Sequence, residues 1–421
     1  MFAGAAGHDP RPVRTGGRGE CGLSLVTALP GMVDSLRQRR TMAVACSAHA
    51  LHDGFTDVLY VLLPLWQAEF GLGYAEIGIL RALYAGSMAG FQVPAGLLAA
   101  RVGGPALLAA GTALAGIGYL VAGASAGFAM LTVALVVGGL GSSVQHPIAS
   151  DLVARSFAGQ RSRRALATYN FSGDLGKMAL PAATAGLVAV MPWRSATSLL
   201  GIAGLAAAVA ILLLRRGLPN AAPAPAAETV DDAAPAASGR GFPLLLAIGI
   251  LDSATRMGFL TFLPFLLRAK GADLPVIGVA LSLIFAGGAA GKLACGFLGA
   301  RLGVVPAIFL TEGLTAAGIL ALLPLPLTAG LAVLPLIGIA LNGTSSVLYG
   351  TVPELVPPQR RQRAFSIFYT GAVGAGALAP VLYGLASDLA SVPAMMVLVA
   401  AVVLVTLPLA WRLGPYLRPA P

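Results

Sequence analysis

Apolar residues run for about 20 positions at a time along this chain, long enough to cross a bilayer at the helical rise of about 1.5 Å per residue. Twelve such runs can be read, near 41–66, 75–99, 104–124, 127–150, 164–190, 194–214, 242–268, 275–299, 303–323, 329–353, 363–387 and 392–411. Within each run the apolar positions are continuous rather than alternating, which predicts helices and not barrel strands. Between the sixth and seventh runs lies Leu218–Gly241, rich in Ala and Pro and carrying Glu228, Asp231 and Asp232. Such a composition buries no core and predicts a flexible connector. The chain is therefore expected to divide into a disordered tail over 1–40, a six-helix bundle over 41–214, a linker over 215–241, a second bundle over 242–413 and a short tail over 414–421.

The two bundles share a phrase. Gly96-Leu97-Leu98-Ala99-Ala100-Arg101-Val102-Gly103 returns 200 positions later as Gly296-Phe297-Leu298-Gly299-Ala300-Arg301-Leu302-Gly303. Pro64 and Pro264 end similar runs, Ser142-Ser143-Val144 returns as Ser345-Ser346-Val347, and Pro181 and Pro380 close matching Gly- and Ala-rich stretches. One half-molecule built twice, in an apolar chain, is the pattern of a duplicated transporter. An even number of spans in each half makes the halves parallel, with a substrate site between them near the midplane.

Composition agrees. Hydrophobic residues make up 57% of the chain and charged ones 10%, against roughly 25% charged in soluble domains. The net charge of +10 would suit nucleic acid, but its placement excludes that partner. Arginines gather in the tail (Arg37, Arg39, Arg40) and in alternate loops, at Arg101, Arg155 to Arg164, Arg215/Arg216, Arg301, Arg360 to Arg363 and Arg412. This alternation predicts a multi-pass protein of a bacterial inner membrane with both termini and the Arg-rich loops in the cytoplasm. Cys21, Cys46 and Cys295 show no paired spacing and read as inert thiols, with no metal or cofactor implied. The stretch Cys21–Met32 is too short to span and is not a signal peptide; Met32 before Arg37–Arg40 would make an ordinary start, leaving the first 31 residues disordered or outside the native protein.

The chemistry is carried by charges inside the spans. His49, His52, Asp53, Thr56, Asp57 and Tyr60 fall within an arc of roughly 140° on the first helix. A charge at mid-bilayer costs about 2.5–3.5 kcal/mol on insertion scales, so two carboxylates there face a wet cavity, a counter-charge or a proton. A kink cap at Gly54 is the structural alternative. Counter-charges stand at Arg81, Lys177 and Lys292, and local pairs are expected for Asp174 with Lys177 (i, i+3) and Asp252 with Arg256 (i, i+4). His146 precedes Pro147, where the proline is expected to bend the fourth span, and its ring suits proton shuttling or a structural contact to a carbonyl. Asp53, Asp57, His49, His52 and His146 are the candidate proton carriers. Tyr60, Arg81, Asn170, Asp174, Lys177, Asp252, Arg256 and Lys292 are the candidate substrate contacts. Arg101, Asp151, Arg301 and Glu354 are the candidate gate residues, with Asp151 expected to meet an arginine of the loop that follows it.

Twelve spans, a long central connector and Gly-x-x-x-x-Arg-x-Gly after spans 2 and 8 resemble the major facilitator superfamily. That family's loop motif usually has an acid at the position of Ala100 and a basic residue at Gly104, so the motif is only partly kept. Gly141-Ser142-Ser143-Val144-Gln145-His146-Pro147, followed by an Arg-rich loop and by Ser172-Gly173-Asp174-Leu175-Gly176 up to Pro181, is similar to the fosmidomycin-resistance-like branch. That branch differs in usually placing an acid at Ile148 and in lacking Asp174 and Lys177. The resemblance implies two pseudo-symmetric six-helix bundles and alternating access. The Gly173 to Pro181 stretch also looks like a degenerate antiporter motif, or is a packing face alone. The combined expectation is a monomeric, proton-coupled transporter of a small anionic or amphiphilic compound in the lipid bilayer, working as an efflux antiporter. Uptake of an organic anion by symport is the alternative. A membrane enzyme or sensor is the remote one, with Ser143 and His146 its sole candidate pair.

Overall fold

Two spans break near a proline, while Pro94, Pro181, Pro264, Pro335, Pro353 and Pro380 lie inside continuous helices. The computed structural model describes residues 21–219 and 241–417, so part of the expected tail, most of the expected linker and residues 418–421 lie outside the described residues. In chain order the helices are α1 (Cys21–Phe70), α2 (Tyr74–Val102), α3 (Gly104–Gly123), α4 (Phe128–Ser142), α5 (Gln145–Ser156), α6 (Gly159–Val190) and α7 (Trp193–Leu214). The second half contains α8 (Gly241–Ala269), α9 (Leu274–Leu302), α10 (Val304–Leu322), α11 (Leu327–Leu355), α12 (Arg361–Leu389), α13 (Val392–Leu404) and α14 (Thr406–Leu413). No strand occurs among the described residues. Pro147 has no N–H for the carbonyl of Ser143, and the fourth span breaks there into α4 and α5, one turn before the proline. Pro408 stands in the same relation to Leu404, and the last span breaks into α13 and α14. Counting each broken pair once gives twelve spans in two bundles.

Among the described residues nine helices are long and apolar enough to cross a membrane by length and composition alone. The spans outside that set, α1, α2 and α6, hold Asp53, Asp57, Arg81, Asp174 and Lys177. The helix α1 begins at Cys21, twenty positions before the expected first span, so residues 21–40 of the expected disordered tail continue it as helix. Gly22, Pro30 and Gly31 in that stretch oppose a helix, while Leu, Arg and Gln favour one.

The repeated phrase has a backbone reason. Gly71 and Gly271 adopt φ of 63° and 88°, and Gly103 and Gly303 adopt 93° and 82°. A side chain in the left-handed region costs about 1–2 kcal/mol, so both copies keep glycine at both turns. Glycine also sets the packing between halves. A Cβ on Gly78 of α2 would strike the Pro380 carbonyl of α12, and one on Gly278 of α9 would press on Ala182 and Ala185 of α6. The two contacts are the same contact in the duplicated register.

Beyond these, the halves meet at the end opposite the Arg-rich loops. There the Asp388 carboxylate of α12 accepts hydrogen bonds from Tyr74 N (2.7 Å) and Ala75 N (2.8 Å) at the start of α2. Arg268 donates to the Pro64 carbonyl at 3.0 Å, and Tyr74 packs edge-on against Phe262 and Phe265. The buried apolar core runs through this end without a break between halves, from Tyr60 and Trp66 to Phe259 and Leu263. Toward the Arg-rich end a polar contact between halves is a 3.5 Å approach of Tyr369 Oη to Gln92 Oε1.

Candidate functional site

A charged cluster sits midway along α1. Asp53 is 8% exposed and three partners converge on its carboxylate. His49 Nε2 lies 3.3 Å from Oδ2, Lys177 Nζ of α6 lies 3.3 Å from the same oxygen, and His146 Nε2 of α5 lies 3.6 Å from Oδ1. His49 is oriented from behind: its ring stacks on Tyr169, and its Nδ1 is 2.7 Å from the Tyr169 carbonyl. A carbonyl only accepts, so Nδ1 carries a proton, and the Nε2–Asp53 contact is a hydrogen bond only when a second proton sits between them. Gly173 makes the space, since a Cβ there would collide with Asp53 Oδ2 and His49 Nε2. Gly176 lets α6 close on the backbone of Ala50, and Gly54 faces Leu180 in return. The small-residue stretch of α6 is thus the seat of the cluster.

The sequence-adjacent pairs give way to longer reaches. Asp174 does not pair with Lys177; its Oδ1 accepts from Lys292 Nζ of α9 at 2.5 Å, an ion pair between the two halves. Lys177 turns to Asp53 instead. His146, Lys177 and Lys292 keep side-chain exposures of 41%, 31% and 42% beside nearly buried carboxylates, so the cluster borders open space between the halves. Asn170 is exposed one turn before Asp174 on the same face of α6. Asp57 is buried, with no ion-pair partner within 4 Å among the described residues.

Arg81 of α2 is buried, donates to Tyr60 Oη at 3.1 Å and lies 5.0 Å from the Tyr60 ring centroid, while its Nε and Nη1 have no hydrogen-bond partner. Tyr60 in turn donates to Met257 Sδ of α8 at 3.7 Å, which places both residues at the closed end between the halves.

His52, expected beside Asp53 as a proton carrier, turns the other way. Its Nε2 is 2.9 Å from Thr112 Oγ1 and its Nδ1 is 3.4 Å from Ser142 Oγ, inside the N-terminal bundle. Thr112 gives its own proton to the Leu108 carbonyl, so it accepts from His52, and the ring is held by neutral hydroxyls. The 140° arc spans two helix faces, and packing assigns His52 to the second. Of the gate residues, Asp151 meets one of the arginines counted with the loop that follows it. That arginine, Arg155, belongs to the same helix and donates at 2.7 and 2.8 Å, while Arg101, Arg301 and Glu354 are exposed. Ser143 donates to the Leu140 carbonyl and not toward His146.

In the C-terminal half the expected Asp252–Arg256 ion pair is replaced. Asp252 and Glu312 of α10 are 4% and 1% exposed and meet side chain to side chain, with Arg256 beside them and its Nε unpartnered. Sequence reading passed over Glu312, although an acid inside an apolar run is the signal that singled out Asp53. A cavity of about 140 Å³ opens on Asp252, Ser253 and Arg256. A larger hollow of about 390 Å³, near Ala189, Arg268 and Leu274, lies at the closed end away from these charges. His49, Asp53 and His146 bring three possible metal-ligand atoms within 4.8 Å of one another. The Lys177 ammonium already holds the Asp53 oxygen, so a divalent cation there would first have to displace it.

A family model described as Major Facilitator Superfamily matches residues 45–248 and 245–421. The fosmidomycin resistance protein of Escherichia coli (strain K12) is 31% identical over 144 residues, which make up 34% of this chain and 35% of that protein. The aligned part therefore spans about a third of the relative. A bacterial homolog of the human lysosomal transporter Spinster, solved in an inward-facing and unoccupied conformation, superposes with a TM-score of 0.75 at 17% identity, over 90% of this chain and 98% of that one. A peptide transporter in complex with alafosfalin superposes with a TM-score of 0.71 at 15% identity, over 90% and 96%. At such identities the likeness is one of fold.

Proposed function

The chain belongs to the major facilitator superfamily, and we propose that it is a proton-coupled secondary transporter that exports a small organic compound bearing an anionic group. The carrying observation is the three-way grip on Asp53 by His49, His146 and Lys177 at the border of the open space. In this reading the Arg-rich end faces the cytoplasm of a bacterial inner membrane, both termini lie on that side, and the substrate enters there. Lys177 and Lys292 are the cations it meets first, with Arg81 deeper and still holding free donors. Protonation of Asp53 cancels its hold on Lys177, so the charge state of the carboxylate sets whether that ammonium is free. Lys292 joins the halves through Asp174, and the halves cannot rock apart at that level until the pair is broken.

Export is supported by the name of the Escherichia coli relative and by the Gly173–Pro181 stretch. One observation favours the opposite direction. A proton on Asp53 and an anion on Lys177 assist each other, and mutual assistance is the chemistry of symport, whereas antiport requires competition at Asp53 or Asp174 by a cationic or dipolar part of the substrate.

The test is flux in vesicles of both orientations. Asp53→Asn and Asp57→Asn are each expected to abolish proton-driven flux while the protein remains monodisperse and folded. Full transport by both variants would sink the proposal, and the orientation that accumulates substrate against an imposed pH step distinguishes export from uptake.

A further inference from the structure

The duplicated register places two pairs in equivalent positions and fills them differently. In the N-terminal half, His52 of α1 contacts Thr112 of α3, and both are satisfied by neutral groups. Two hundred positions on stand Asp252 of α8 and Glu312 of α10, again in contact. The fold is thus stable with a neutral pair at this place, and two acids there need a chemical reason. The groups facing them are few. Arg256 comes from α8 itself, Thr344 and Tyr349 from α11, and Tyr369 from α12. Within α13 there is no titratable side chain, and α14 brings Arg412 only in its last turn.

Two carboxyls in contact, away from water, cannot both be ionised; one proton between them leaves a single negative charge. Arg256 supplies one positive charge, so the three groups are neutral together. Asp252 and Arg256 also line the cavity of about 140 Å³, and the unpartnered Nε of Arg256 has a donor to give.

We infer that Asp252, Glu312 and Arg256 form an anion subsite in the C-terminal half in which binding of one carboxylate or phosphonate group takes up one proton. An anion entering the cavity engages the Arg256 guanidinium and removes the neutralising charge from the acid pair. The pair, left with an excess negative charge in a dry site, takes a proton from cavity water, and an O–H bond forms on the second carboxyl. Charge balances at every stage: one anion and one proton enter, and both leave together. The site shares the anionic substrate class of the proposed function but does not depend on the proton role of α1.

Infrared difference spectroscopy on the purified full chain tests it, in an Asp53→Asn/Asp57→Asn background so that inactivity of α1 cannot mask the result. The background protein is expected to show the C=O stretch of an un-ionised carboxylic acid at neutral pH. Glu312→Gln and Asp252→Asn, both close in shape to the native side chains, are each expected to remove it. Benzoate, used as the anion probe, is expected to double the band in the background protein, and Arg256→Gln, which removes the same neutralising charge, to show the doubled band without benzoate and to lose the benzoate response. A band that is absent at the start, or that survives in both Glu312→Gln and Asp252→Asn, overturns the shared proton. A band that benzoate leaves unchanged overturns the anion subsite.

Discussion

Removing the Asp388 carboxylate should open the closed end of the transporter by a calculable amount. It accepts from two backbone N–H groups at 2.7 and 2.8 Å, at the first turn of α2 and from the other half of the molecule. Loss of a capping side chain typically costs about 0.5–2 kcal/mol. The site is exposed, which holds the helix-dipole part to about 0.3–1 kcal/mol, so a total of about 1 kcal/mol is appropriate. Because Asp388 and Tyr74 belong to different halves, the interaction exists only with that end closed, and its whole loss falls on the open–closed equilibrium. At about 1.4 kcal/mol per tenfold, Asp388→Ala should raise the ratio of open to closed molecules about fivefold. Spin labels on the exposed loop positions Ala126 and Pro324, in a chain with Cys21, Cys46 and Cys295 replaced, would report it as growth of the long-distance population by pulsed electron resonance. Asp388→Asn, which keeps one acceptor oxygen, should fall between wild type and Asp388→Ala. Distance distributions identical in all three would show that the cap does not hold the end shut.

Two further outcomes follow from packing and charge. Gly176→Val should lower the thermal midpoint in detergent by several degrees, since overpacking costs about 1–3 kcal/mol and the new Cβ meets the Ala50 backbone, whereas Gly86→Val, with open space around it, should not. Lys177→Met leaves the Asp53 carboxylate without its cation, a loss that costs about 3–5 kcal/mol for a buried pair and less here because the lysine is partly exposed. The double variant Lys177→Met/Asp53→Asn should recover most of that stability in the same melting assay; no recovery would mean that the two side chains are not energetically paired.

The spans were legible because the bilayer imposes one length and one composition on every crossing helix. The two breaks were legible only in part: His146-Pro147 announced a bend, but the missing hydrogen bond acts on the carbonyl four residues back and so moves the break to Ser143. Buried charge was legible for the same reason as the spans, since each ion interrupts an apolar run. Its pairing was not. Spacing favoured Asp174 with Lys177 and Asp252 with Arg256, yet long lysine stems reach neighbouring helices as easily as the next turn, and Asp174 finds Lys292 instead. The acid–acid contact of Asp252 with Glu312 was hidden because sequence reasoning looks for opposite charges, and a shared proton leaves no trace in composition. Asp388 was overlooked as an exposed acid near a helix end, where nothing in its own segment says that the helix it caps lies 313 and 314 residues away.

Gly78 against Pro380 and Gly278 against Ala182 have a mechanical consequence. The two contacts related by the duplication define a line, with Gly384 against the Tyr74 backbone a further close contact between α12 and α2, and in the proposed alternation between open and closed ends a turn about that line would leave the related pair intact. Everything off the line must break or form as the bodies turn: the Asp388 cap and the Arg268–Pro64 bond on one side, the Lys292–Asp174 bridge on the other. On the proposed mechanism the duplication gives the molecule an axle as well as two halves, and the charges that do not repeat sit where that axle would give them leverage.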